Sequence, residues 1–337
     1  MAICAAAIPA QAEKPAKLPK QQKETRHALP PKLGIKVPGV QISIDSLKAE
    51  LEYETLSPPQ WLAFTNMVLL PDVAAHTLAR IDPKLKARNF GEPIAGIQKP
   101  CAGLVNAFGS LWTGDCAEGA LLRFDPKTAR VTAKIPAGIG LATIGLAATA
   151  DSIWLLTDAK GTLARIDPEQ NQVVAELRVP ADCTSLTFGE TVLWLDCPAE
   201  GRVLRVDPLT NLVEKSIEVS ALPEAVAVGE GSIWVLCAKE GKLERIDPKT
   251  NKVSKTIDLG APAAGGSLAI GEKFAWVSMP GFPITRVDPG TDKVVQQFYG
   301  DGGAVLGVGL NFVWLANFEA GTLWKLDPRR IAATLAE

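Results

Sequence analysis

Histidine is nearly absent from this chain. Its 337 residues carry two, His27 and His76, widely separated in sequence. That excludes most histidine-based metal sites and weakens any histidine general base. The six cysteines include no Cys-x-x-Cys pair, which speaks against zinc. No nucleophile elbow, phosphate-cradling loop or paired-carboxylate motif at a usable spacing occurs. Long apolar runs are missing too: no segment reaches the roughly 18 consecutive apolar residues of a membrane-spanning helix. Nor is there a basic surplus. The net charge is −2, and residues 13 to 36 hold seven bases against Glu13 and Glu24, so the remainder stands at −7. A mildly acidic body argues against nucleic acid as the main partner, because phosphate recognition needs a concentrated basic surface.

With 47% hydrophobic and 21% charged residues, the chain has ample material for a large core. Its first twelve residues, "MAICAAAIPAQA", are small and apolar, and Ala10-Gln11-Ala12 has the form of a signal-peptidase site. The usual positive start is lacking, so residues 1–12 are expected to be a truncated signal peptide that takes Cys4 with it. Residues 13–38 are expected to be a Lys/Pro-rich flexible linker, whose bases are free to touch an anionic surface. The folded body is expected over 39–337, in the periplasm or secreted.

What the chain has in abundance is one phrase. "GKLERIDPKTNKVSKTIDLG" (241–260) has six close counterparts, and aligning them on Asp-Pro gives Asp82, Asp125, Asp167, Asp207, Asp247, Asp288 and Asp327, at spacings of 43, 42, 40, 40, 41 and 39. A base stands two residues earlier each time: Arg80, Arg123, Arg165, Arg205, Arg245, Arg286 and Lys325. Twelve or thirteen residues earlier stands Trp112, Trp154, Trp194, Trp234, Trp276 or Trp314, with Leu69 in the first copy. The local pattern is one of short Ile/Val/Trp/Thr runs broken by Gly, Pro and Asn, with no apolar stripe at helical spacing. Each copy therefore reads as four strands, the second apolar on both faces as if held between two similar sheets. Seven such sheets, from about residue 59, predict an all-β, seven-bladed β-propeller of four-stranded antiparallel blades.

The repeated chemistry has a structural reading. Asp-Pro opens a tight turn that Asn or Gly closes in the left-handed conformation. The base pairs with that Asp or with a neighbouring blade, and the tryptophan packs between blades. The C-terminal "IAATLAE" makes a thin last strand, so residues 39–54 are expected to complete or brace the closing blade. Cys101 with Cys116, and Cys183 with Cys197, flank the inner and Trp strands of one blade each, where the sulfurs can face one another. In an exported protein they are expected to form two disulfides, and in a cytosolic one four buried thiols. Cys237 takes the Cys197 position in the next blade without a partner.

The variants "DSIWLLTDAKGTLARIDPEQNQVVAEL" and "ETVLWLDCPAEGRVLRVDPLTNLVEKSI" resemble the YVTN/YncE-like bacterial propellers and the related streptogramin B lyases, over residues 59–337. The lyase branch implies a seven-bladed enzyme that opens a cyclic lactone by elimination, using magnesium and clustered His and Glu near the axis. "ALPEAVAVGEGSIWVLC" and "GGSLAIGEKFAWVS" hold no histidine at all, so no catalytic residue carries over. The YncE-like branch implies an exported binding protein.

The favoured expectation is a non-enzymatic binding or scaffold propeller that presents loops around its central funnel to a protein, polymer or small-molecule ligand. Specificity then resides where the blades differ: in "PDVAAH", "GDCAEG", "TDAKG" and "SMPGFP" between second and third strands, and in connections such as "AGIGLATIG" and "YGDGGA". Candidate ligand-binding residues are Asp115, Asp158, Glu224 and Asp301, with Phe282 and Phe318 for apolar contact. The alternative is a lyase- or lactonase-like enzyme whose carboxylates alone hold calcium or magnesium.

Overall fold

The computed structural model describes residues 32–55, 57–85, 90–139, 145–157, 161–303, 305–317 and 320–334. The expected signal peptide and most of the expected linker lie outside these residues. Seven sheets form a ring, with inner strands packed side by side around the axis.

Blade 5 shows the plan. Its strands are Ala225–Gly229, Ser232–Cys237, Lys242–Asp247 and Lys252–Asp258, paired antiparallel in that order from axis to rim. The Trp strand is wholly buried and the rim strand mostly exposed, because only the former is covered by sheets on both sides. Two faces result. One carries the Asp-Pro corners, and the other carries the turns from second to third strand and the connectors to the next blade.

On the corner face the repeat resolves into hydrogen bonds. Asp247 Oδ1 accepts from Lys249 N at 2.8 Å, and Asn251 closes the turn at φ 56°. Asp82, Asp125, Asp167, Asp207, Asp288 and Asp327 accept in the same way from the amide two residues ahead. In four blades the base reaches onward, to the neighbouring blade, whereas Arg80 donates to Glu92 O and Arg205 pairs with Glu214 of its own blade. Arg123 donates to Pro168 O (2.6 Å) and Asn171 Oδ1 (2.9 Å), Arg245 to Pro289 O and Asp292 Oδ1 (both 2.8 Å), and Arg165 to Asn211 Oδ1 (3.1 Å). Lys325 donates to Pro83 O at 2.8 Å and so ties the last blade to the first. Arg123, Arg165 and Arg245 also lie over the tryptophans of their own blades.

Near the axis the inner strands converge, and glycine makes room. A Cβ at Gly229 would stand 2.4 Å from Ile270 of the next inner strand, and one at Gly309 equally close to Phe64, which closes the ring. The indole N–H of Trp234 donates to Gly229 O at 3.1 Å, coupling second strand to first.

Closure uses the N-terminal segment, as expected. Leu51–Glu54 pairs antiparallel with Thr322–Leu326 and supplies the rim strand of blade 7, while Gln41–Ser43 pairs parallel with Lys293–Tyr299 and covers the rim of blade 6. Where a thin last strand was expected, Pro328–Ala333 is a short helix with Asp327 as its N-cap, and residues 335–337 lie outside the described residues. Blade 1 shows three strands, Ala63–Phe64, Val68–Asp72 and Thr77–Ile81, with Ile94 bridging to Leu78 at its rim. Disulfides join Cys101 to Cys116 and Cys183 to Cys197, each across the connector-face end of its blade.

Candidate functional site

The connector face collects most of the sequence-predicted residues, but it uses them differently. Asp115, at the end of the strand Ser110–Asp115, is fully buried and accepts from the amides of Gln98 (2.7 Å), Lys99 (3.0 Å) and Ala117 (3.1 Å). Its carboxylate is committed to fixing the connector into blade 2. Phe282 is 4% exposed, with its ring edge against Gly34 of the N-terminal segment, so it is packing and not a presented contact. Asp301 is exposed in the connector between blades 6 and 7. Asp158 and Phe318 lie outside the described residues.

Glu224 differs from these. It opens the inner strand of blade 5, where its N–H donates to Leu236 O at 2.8 Å. The side chain is half-buried, and its Oε2 is enclosed without a hydrogen-bond partner. Burial raises its pKa, and the charge of Asp196 raises it further. Asp196 was not among the residues singled out from the sequence. It sits in the strand Val192–Cys197 of blade 4, two residues after Trp194 and on the same side of the strand, facing blade 5. Its Oδ1 accepts from Ser185 N (2.6 Å) and Thr184 Oγ1 (3.1 Å). Its Oδ2 is buried with no partner at hydrogen-bonding geometry, and the Ser185 hydroxyl acts on the same carboxylate. Burial lifts the Asp196 pKa above the ordinary carboxylate range, against the opposing pull of the Ser185 and Thr184 hydrogen bonds.

The other acids at this seam are satisfied. Glu244, 4% exposed, accepts from Ser220 N (3.1 Å), Ser220 Oγ (2.7 Å) and Thr256 Oγ1 (3.2 Å). Glu240 accepts from Ala221 N (2.8 Å) and pairs with Lys242. Together they grip the connector that delivers Glu224. Cys237 Sγ rests 3.3 Å from Ser220 O, and burial pushes its thiol up to about 12, so it is no ready nucleophile.

Asp196 had a signal that sequence reading could have used. The position two after the tryptophan is Gly114, Leu156, Asp196, Leu236, Ser278 and Ala316 in blades 2 to 7, so the slot takes its one charge in blade 4. Buried polar groups are nearly always paired; the slot holds an unpaired oxygen at Ser278 as well as at Asp196, and blade 4 stands apart in that its residue is ionisable.

The magnesium that the lyase resemblance implies does not fit here. Asp196 and Glu224 are joined by no histidine, and among the described residues no three His, Cys, Asp or Glu side chains form a group suited to a metal ion. Elsewhere, two surface clefts of about 890 and 590 Å³ lie on the corner face, lined by the repeated elements Arg165, Asp167 and Pro168, and Arg245, Asp247 and Pro248.

Comparison with known proteins identifies the fold class. The structure is similar to a streptogramin B lyase (TM-score 0.67, 15% identity, covering 81% of this chain and 95% of that one) and to virginiamycin B lyase from Staphylococcus aureus (0.67, 15%, 81% and 97%). It is equally similar to Kuenenia stuttgartiensis hydrazine synthase (0.67, 12%, 81% and 97%). At such identities the likeness is one of fold. No family model and no curated protein sequence matches the chain.

Proposed function

We propose that the chain is a binding propeller of an oxidising compartment outside the cytoplasm, which takes its ligand on the connector face at the seam between blades 4 and 5. The observation that carries this reading is the Asp196–Glu224 pair: two carboxylates within electrostatic reach, each with a buried oxygen that no group among the described residues satisfies at hydrogen-bonding geometry. Leaving such atoms unpaired costs stability, which a bound partner restores. The two disulfides support the compartment, since such bonds persist where thiols are not kept reduced.

Native mass spectrometry of the chain purified from an exporting host, before and after a chelator, tests this. A copurified molecule on the wild type that is missing from Asp196→Asn is the expected result. A bare mass for both, under conditions that preserve known complexes, would refute it. A divalent ion removed by the chelator would favour the metal-assisted lyase or lactonase reading instead.

A further inference from the structure

We infer that the corner of blade 5, on the face opposite the connectors and independently of the reading above, is a receptor for a guanidinium group, which it takes from an arginine side chain of a protein partner. The receptor is defined by its copies elsewhere in the ring. Pro168 O and Asn171 Oδ1 of blade 3 accept from Arg123 of blade 2 at 2.6 and 2.9 Å, and Asn211 Oδ1 of blade 4 accepts from Arg165 of blade 3 at 3.1 Å. Pro289 O and Asp292 Oδ1 of blade 6 accept from Arg245 of blade 5, both at 2.8 Å. Blade 5 has the same corner: Pro248 follows Asp247, and Asn251 stands at φ 56°, against 53° for Asn171 and 57° for Asn211. Its own arginine does not arrive. Among the described residues Asn251 Oδ1 has no hydrogen-bond partner, although it is enclosed, a state that buried acceptors rarely keep.

Two residues of blade 4 account for this. In blades 2, 3 and 5 the arginine Nε donates to a serine of the second strand, Ser110 (2.9 Å), Ser152 (2.7 Å) or Ser232 (2.7 Å), which steers the guanidinium towards the next corner. Blade 4 has Val192 in that place, and Arg205 Nε is buried without a partner. The position seven residues after the corner Asp is Thr132, Val174, Ser254 and Val295 in blades 2, 3, 5 and 6, but Glu214 in blade 4, where it draws Arg205 Nη1 to 3.3 Å within its own blade. So Arg205 is unsteered on one side and held back on the other. The corner is also open to approach. A cleft of about 590 Å³ is lined by Glu190 of blade 4 and by Asp247, Pro248 and Lys249. Arg123 forms part of the wall of the corresponding cleft in blade 3, whereas Arg205 does not line this one. Glu190 is exposed and offers an incoming cation its carboxylate. A guanidinium is planar and more weakly hydrated than an ammonium, so it enters a partly buried slot at smaller cost. Where the chain uses lysine instead, Lys325 meets Pro83 O of blade 1.

The test is a ligand-observed NMR and calorimetric titration of the full chain with the blocked tripeptide acetyl-Gly-Arg-Gly-amide, against its lysine counterpart and methylguanidine. The arginine peptide is expected to bind the wild type, and the lysine peptide to bind about threefold or more weakly. Asn251→Gly keeps the left-handed corner, which glycine adopts freely, and is expected to weaken binding about tenfold through loss of one charge-assisted hydrogen bond. Glu214→Gln releases Arg205 to fill the corner and is expected to weaken binding by a similar factor. Glu218→Gln, which removes the same charge from the other end of that rim strand, is expected to leave the affinity unchanged. Melting curves establish that each variant is folded. Equal binding of the lysine peptide, tighter binding of methylguanidine, indifference to Asn251→Gly, or equal effects of Glu214→Gln and Glu218→Gln would each overturn the assignment. So would an arginine peptide that fails to bind the wild type, even if it binds Arg205→Met, because Arg205 would then fill the corner itself.

Discussion

Replacing Asp196 with asparagine is the most direct probe of the seam in the ligand-free protein. The amide keeps an acceptor for Ser185 N and Thr184 Oγ1, changes the volume little, and removes the charge. The groups that face Asp196 are Thr184 and Ser185 from its own blade and Glu224 from the next. Because burial raises the folded-state pKa above the unfolded one, the folded state holds its proton more tightly. Asp196 therefore favours folding at low pH, and that contribution is lost as pH rises from about 4, its unfolded value, through its raised folded value. Asparagine has no such dependence, so its advantage over aspartate grows across that window and then levels. A buried carboxylate with one oxygen unpaired costs about 1–3 kcal/mol. With unfolding entropies near 2.1 cal/mol/K per residue, a body of roughly 300 residues melts about 2–5 °C higher for that gain. The assay is denaturant and thermal unfolding of both proteins at pH 4 and pH 8, read as the difference between them at each pH. An asparagine variant that is less stable than wild type by the same amount at both values would refute the reasoning, for it would mean that Oδ2 is satisfied.

Three further outcomes follow from other parts of the ring. Removing either disulfide by paired Cys→Ser substitution is expected to cost about 3 kcal/mol on the loop-entropy estimate, and the oxidised wild type should weigh four hydrogens less than the reduced chain. Lys325→Met is expected to lower stability by about 1–3 kcal/mol, by leaving Pro83 O without its donor, and to speed amide exchange selectively in blade 1 and the 51–54 strand. Tyr53, wholly buried beside Trp314, carries a hydroxyl without a partner; Tyr53→Phe should be neutral or stabilising, whereas Tyr53→Ala should cost about 3–5 kcal/mol.

The architecture was legible because each blade repeats the same solution. Asp-Pro, the base two residues before it and the tryptophan are each demanded by local geometry, and seven copies turn a weak turn signal into a strong one. The closing strand was legible for a topological reason: a last blade without a good rim strand must borrow one, and residues 39–54 were the remaining strand-like segment. Partner choice was harder to read. The sequence left the base between its own Asp and a neighbouring blade; in the structure Arg123, Arg165, Arg245 and Lys325 cross to the next blade, while Arg205 turns to Glu214 of its own. Asp115 and Phe282, expected among the presented residues, lie buried in the structure for a related reason. Position in a loop does not reveal whether backbone amides or the N-terminal segment already occupy the side chain.

In a ring of near-identical sheets, what matters for function is departure from the repeat, and the departures differ in kind. Where Ser232 meets Arg245 Nε at 2.7 Å, blade 6 has Phe274, and Arg286 lies 4.3 Å from that ring centroid while its Nε stays buried without a partner. Val192 in the same slot offers Arg205 no hydroxyl, and the Arg205 Nε is likewise unpartnered, although the guanidinium lies over Trp194 and pairs with Glu214. Asp196 goes further, placing a charge where Leu156 and Leu236 contribute to the core. Uncompensated changes lower stability and call for a separate reason; an unpartnered guanidinium Nε occurs at Arg286 as well as Arg205, and an unpartnered atom in the slot after the tryptophan at Ser278 as well as Asp196. What is peculiar to blade 4 is that the slot carries a charge, and that charge directs the search for a ligand to this seam.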